Sequence, residues 1–168
     1  MHLILHNLKP ALKTRDPLAM ENLSMAAVCA GMSFSNASLG ACHAIAHSLG
    51  GFFDTTHGMV HPVLLPAVMS YNLPACEAKM ATIGEIVLGR RLSSSEQTAR
   101  GGIERLKEIF LELNAPVHFR EIVDDQTAFP RLAPVAYQQD SGLVADDPVI
   151  KRFGLRLATR TSRATRRD

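Results

Sequence analysis

The 168-residue chain is poor in cysteine: Cys29, Cys42 and Cys76 are an odd number with no C-x-x-C spacing. That excludes a disulfide framework and reads as buried thiols in a reducing compartment. No uninterrupted apolar run reaches the ~20 residues needed to cross a bilayer. Met1 to Leu8 is apolar, but it carries His2, His6 and Asn7 and lacks a basic n-region and a cleavage site, so a secretory signal is not expected. A glycine-rich phosphate-binding turn is also missing. Gly50-Gly51 and Gly101-Gly102 are isolated pairs, neither following a strand-like run nor matching G-x-G-x-x-G. Strand-period alternation of useful length is absent too, so the expected class is an all-α helical bundle. A soluble, cytoplasmic protein with no membrane and no nucleic-acid partner is the expectation.

What is present fits that class. At 46% hydrophobic residues and a mean hydropathy of +0.05, the chain is ordinary for a globular domain and long enough to bury a core. Met1 to Lys13 is apolar-periodic, with Pro10 expected to kink or end it. Asp16-Pro17 supplies an N-cap followed by proline at the first helical position, opening a helix from Leu18 to about Asn36. Its alanines, Val28 and the methionines Met20, Met25 and Met32 read as packing residues. Ser38 to Leu49 is expected as a helix stopped by Gly50-Gly51. His57 to Tyr71 contains Pro62 and Pro66 and should be bent or broken. Pro74 should start a helix through Leu88, closed by Gly89. Ser94 and Gln97 have capping-box spacing and open a helix over Glu96 to Leu113, where Gly101-Gly102 implies a kink or a close helix contact.

The chemistry concentrates in four histidines. His43 and His47 are four residues apart, so on a helix they project from one face, and His57 and His61 repeat that spacing on the next segment. Two imidazole pairs then face a common space. Neutral imidazole ligates iron, zinc, copper and nickel, and it moves protons near neutral pH. The competing reading is a set of satisfied core histidines, and the spacing has neither a zinc-finger pattern nor the glutamate of H-E-x-x-H. Cys42, adjacent to His43, points about 100° away from it and is expected in the core.

The run Gly31-Met32-Ser33-Phe34-Ser35-Asn36-Ala37-Ser38-Leu39-Gly40-Ala41-Cys42-His43-Ala44-Ile45-Ala46-His47-Ser48-Leu49-Gly50-Gly51, continued by His57-Gly58 and Leu64 to Asn72, closely resembles the iron-containing (group III) alcohol dehydrogenases. The likeness covers Leu5 to Gly89 well and thins afterwards, with Leu132 to Asp140 as a degraded form of the family's late helix. The resemblance implies the helical C-terminal domain of that dehydroquinate synthase-like fold. It also implies that His43 and His57 bind the catalytic metal, while His47 lies near nicotinamide and substrate as the catalytic, substrate-orienting or proton-relaying residue. Many members carry Asn where His61 stands, and His61 reads equally as a helix-face polar residue beside Pro62.

Family members are more than twice this length, and an N-terminal α/β part and the helix after it supply the dinucleotide site and two further ligands, Asp and His. This chain is expected to hold only the C-terminal half, so the metal would need a replacement from His47, His61, Asp54, water or a second polypeptide. The implied cofactors are Fe(II), or alternatively Zn(II), with NAD(P) in the complete enzyme. The implied partners are a small alcohol or aldehyde and either a second copy or a separate N-terminal half. A non-catalytic remnant or helical subunit is the alternative.

Residues 1–150 read as one helical metal-binding domain and 151–168 as a basic, disordered tail. That tail holds seven Lys/Arg and one acid, so the formal charge of +2 conceals a body with 11 basic and 15 acidic side chains. The tail does not resemble the family's ending, and out-of-family sequence from a shifted reading frame is one reading, tested by sequencing the locus.

Overall fold

The structure, a computed structural model, describes residues 1–37 and 39–123. The late-helix segment 132–140 and the basic tail lie outside the described residues. Among those described, every regular element is helical: α1 (His2–Thr14), α2 (Pro17–Ala37), α3 (Ala41–Phe53), α4 (His57–Asn72), α5 (Glu77–Leu88) and α6 (Ser95–Glu112), with 3₁₀ turns at Leu73–Ala75 and Phe119–Glu121. No single helix among them is long and apolar enough to cross a membrane.

Local signals set two of the helix starts and one of the ends. The Asp16 carboxylate accepts from the Ala19 backbone N–H at 2.7 Å, with Pro17 opening α2 where no donor is needed. Ser94 Oγ accepts from the Gln97 N–H at 3.1 Å and starts α6. Gly89, at φ 71°, ends α5 in the left-handed region. α1 runs through Pro10 to Thr14, whose hydroxyl donates to the Pro10 carbonyl at 2.9 Å.

Four expectations are corrected. α3 does not stop at Gly50-Gly51 but continues to Phe53, and Asp54 (φ 52°) takes the left-handed cap while its N–H donates to the Gly50 carbonyl. Burial of the Phe53 ring against the core offsets the ~1 kcal/mol that each glycine costs a helix. α4 is one unbroken helix across Pro62 and Pro66, so of the expected bend or break the break does not occur. The missing N–H groups there are tolerated because Val60, Leu64 and Val68, spaced by four, are buried against α3. α5 begins at Glu77, not Pro74, because Cys76 (φ −142°, ψ 38°) interrupts the helical path after the 3₁₀ turn.

The fourth correction concerns α2. Met20, Met25 and Met32 are 51%, 57% and 66% exposed, and Cys29 is exposed as well. Only Ala19 and Ala26 of this helix are buried. The helix packs chiefly on α1, and Asn22 donates to Asn7 Oδ1 at 3.1 Å across that contact.

Two cores carry the rest. One joins Ala44, Ile45, Ala46 and Leu49 of α3 to Val60, Leu64 and Val68 of α4, with Val123 closing it. The other joins Met69 of α4, Val87 of α5, and Ile103 and Leu106 of α6. α5 and α6 touch backbone to backbone. A Cβ at Gly102 would fall on Gly84, and one at Gly84 on the Thr98 carbonyl. The glycine pair thus marks a close helix contact.

Candidate metal centre

Packing of α3 against α4 places the histidines. The reversal at Asp54–Thr56 is three residues long, so the start of α4 returns beside the first two turns of α3. The apolar faces of both helices are consumed by the shared core, which leaves the imidazoles at its rim. His43 and His61 are partly buried, and His47 and His57 are exposed. Ring centroids are 4.7 Å apart for His43 and His61, 4.6 Å for His57 and His61, and 5.5 Å for His43 and His57.

His43, His57 and His61 each offer one nitrogen within 4.8 Å of the others, the group of His, Cys, Asp or Glu donors among the described residues close enough to share one ion. His47 is beside this group rather than in it, with its ring 4.8 Å from that of His57 and 6.3 Å from that of His43. Asp54, the exposed residue at the α3 terminus, is not in the group. Phe34, from α2, approaches His43 with ring centroids 6.5 Å apart. The structure thus brings His43 and His57 together, as the resemblance implies, and of the candidate replacements it places His61 in the same group.

The electrostatics suit neutral imidazoles. Partial desolvation lowers the His57 pKa from its ordinary value, and the positive charge that His61 and His47 can carry lowers it further. His61 Nδ1 lies 2.9 Å from the His57 carbonyl oxygen, which can only accept, so Nδ1 carries the proton and Nε2 keeps its lone pair. That Nε2 is buried and has no hydrogen-bond partner among the described residues. Cys42 takes no part. It is buried in the α3/α4 core, and burial pushes its thiol up to about 11.

Such a cluster fits a divalent transition ion: neutral nitrogen donors from two rigid helices, one of them buried and otherwise unpartnered. Residues 1–149 match the family model described as Fe-containing alcohol dehydrogenase family, C-terminal. The chain is 37% identical over 139 residues to a 1,3-propanediol dehydrogenase of Klebsiella pneumoniae, covering 81% of this chain and 36% of that protein. A solved structure of a 1,3-propanediol oxidoreductase superposes with a TM-score of 0.76 at 36% identity, covering 82% of this chain and 36% of the other. A shorter stretch of 56 residues is 66% identical to part of the type VI secretion system spike protein VgrG4b of Pseudomonas aeruginosa, covering 33% of this chain and 7% of that protein. The chain therefore spans about a third of the length of the dehydrogenases it matches.

Proposed function

The chain belongs to the iron-containing alcohol dehydrogenase family, whose C-terminal part it carries, and from that premise we propose that it is the metal-holding helical part of an NAD(P)-linked oxidoreductase interconverting a small alcohol and its aldehyde. The observation that carries this reading is the convergence of His43 and His57 from two packed helices, with ring centroids 5.5 Å apart. These two residues hold the ion, Fe(II) in the first instance and Zn(II) as the alternative, since nitrogen donors suit both. The ion supplies Lewis-acid polarisation of the alcohol or carbonyl oxygen.

The remaining roles belong to the chain's own residues. His47 is exposed beside His57, outside the three-nitrogen group, and is placed to orient a substrate hydroxyl or accept its proton. Phe34 borders the His43 side with an apolar ring. The dinucleotide site belongs to protein beyond these helices, because the sequence has no glycine-rich phosphate turn. The exposed methionines of α2 favour a role as a subunit or domain working against further protein. Its place of action is proposed to be the cytoplasm.

The test is anaerobic calorimetric titration with Fe(II) and with Zn(II), beside a His43→Ala/His57→Ala double variant. Binding near one ion per chain that is lost in the double variant is expected, and equal binding by both proteins would refute the ligand assignment. The chain alone is expected to show no NAD(P)-dependent alcohol oxidation. Chelator-sensitive turnover abolished by His43→Ala would overturn that.

A further inference from the structure

Resting on the assignment of His43 and His57 as ligands, we propose that His61 is the third protein ligand, so that the chain completes a three-nitrogen metal site from its own α3 and α4. The first support is tautomeric. The protonated Nδ1 donates to the His57 carbonyl at 2.9 Å, which leaves a lone pair on Nε2. A ring nitrogen held this way by a backbone carbonyl is the usual outer arrangement of a ligating histidine.

The second support is the lack of any other partner for that atom. Nε2 of His61 is buried and makes no hydrogen bond among the described residues, a state that is unfavourable if nothing satisfies it. The third is placement. The nitrogens of His43, His57 and His61 lie within 4.8 Å of one another. Bonds of ~2.0–2.1 Å to a tetrahedral ion set nitrogens about 3.3 Å apart, so each must move inward by under about 1 Å. Side-chain torsions on exposed or half-buried rings supply a shift of that size. His47 is not a member of the group and stands beside it, its ring 4.8 Å from that of His57.

The test uses the full chain with Co(II) and Zn(II) and three proteins: the parent, His43→Ala/His57→Ala, and His61→Leu. Titration of the parent is expected to saturate near one ion per chain with the visible absorption of low-coordinate Co(II). In the His61→Leu chain, affinity should fall by more than about 100-fold, since outer-shell partners alone account for 10–100-fold. The apo His61→Leu chain should be as resistant to urea as the parent or more so, because an unsatisfied buried nitrogen has been replaced by hydrocarbon. Ring-nitrogen NMR of the parent should show Zn(II) moving the His61 Nε2 resonance, assigned by its absence from His61→Leu, and leaving Nδ1 protonated.

Loss of binding in the double variant with affinity and Co(II) spectrum unchanged in His61→Leu would overturn the role of His61 and leave the two-ligand assignment standing. An unmoved His61 Nε2 resonance at saturation would do the same if His61→Leu had lost helicity. No binding by the parent, or binding indifferent to all three histidines, would overturn both.

Discussion

Gly101 and Gly102 are adjacent on α6, yet alanine at the two positions should change stability in opposite directions. Either substitution gains about 1 kcal/mol of helix propensity relative to glycine. At Gly102 the new Cβ would fall on the Gly84 Cα of α5, with the Gly84 nitrogen and carbonyl carbon at 3.3 Å, all of them backbone atoms that cannot turn aside. The α5/α6 interface must open by on the order of 1 Å to restore carbon contact distance, and a gap of 0.5–1 Å forfeits a quarter to a half of each dispersion well. The opening is transmitted to Val87, Ile103 and Leu106 in the second core. Overpacking of this kind costs typically 1–3 kcal/mol, and backbone contact belongs at or above the upper end. A net loss of about 2 kcal/mol is expected for Gly102→Ala.

At Gly101 the added Cβ meets only the Leu88 and Leu92 methyls at 3.2 Å, side-chain ends able to rotate away. Gly101→Ala should lie between neutral and about 1 kcal/mol more stable. Urea unfolding followed by circular dichroism, with the midpoint and slope fitted for both variants, measures the difference. Equal midpoints, or a Gly102→Ala chain as stable as the parent, would refute the backbone contact between α5 and α6.

Three further outcomes are expected. The folded chain holds the His57 pKa below its ordinary value, so between the two values the unfolded chain binds more protons. Stability should therefore fall as pH drops from neutral through about 6.5 and level off below the folded pKa; pH-dependent urea titrations of the parent and His57→Gln check this, and an equal slope in both would count against it. Cys29 is exposed while Cys42 is buried with its thiol up at about 11, so an aromatic disulfide reagent at neutral pH should modify Cys29 quickly and Cys42 only on unfolding, read by peptide mass. Ser94→Ala removes the cap donated to by the Gln97 N–H and should destabilise by about 1 kcal/mol in the same urea assay.

Much of the helical layout is legible along the chain because its causes are local. Asp16-Pro17, Ser94 and Gly89 act on backbone groups within four residues, and each marks the expected helix end. The H-x-x-x-H run declares two imidazoles on one face, and its resemblance to the iron-containing alcohol dehydrogenases points to the family that residues 1–149 match. Gly50-Gly51 misleads because a helix stop is a competition, and burial of Phe53 in the α3/α4 core prevails over two glycines. Met20, Met25 and Met32 mislead because an apolar side chain on a helix states that it favours cover, not that the fold supplies it.

The sequence by itself determined the fold class, the helix caps at Asp16, Ser94 and Gly89, the presence of two imidazole pairs and the family, since each depends on residue identity at short spacing. Only the tertiary structure decided that Gly102 is a contact with Gly84 and that α2 keeps its methionines exposed. It also decided that His61 joins His43 and His57 while His47 stands aside. Those outcomes depend on how α3 packs on α4 and α5 on α6, which is set by side chains far apart in sequence that the fold brings together.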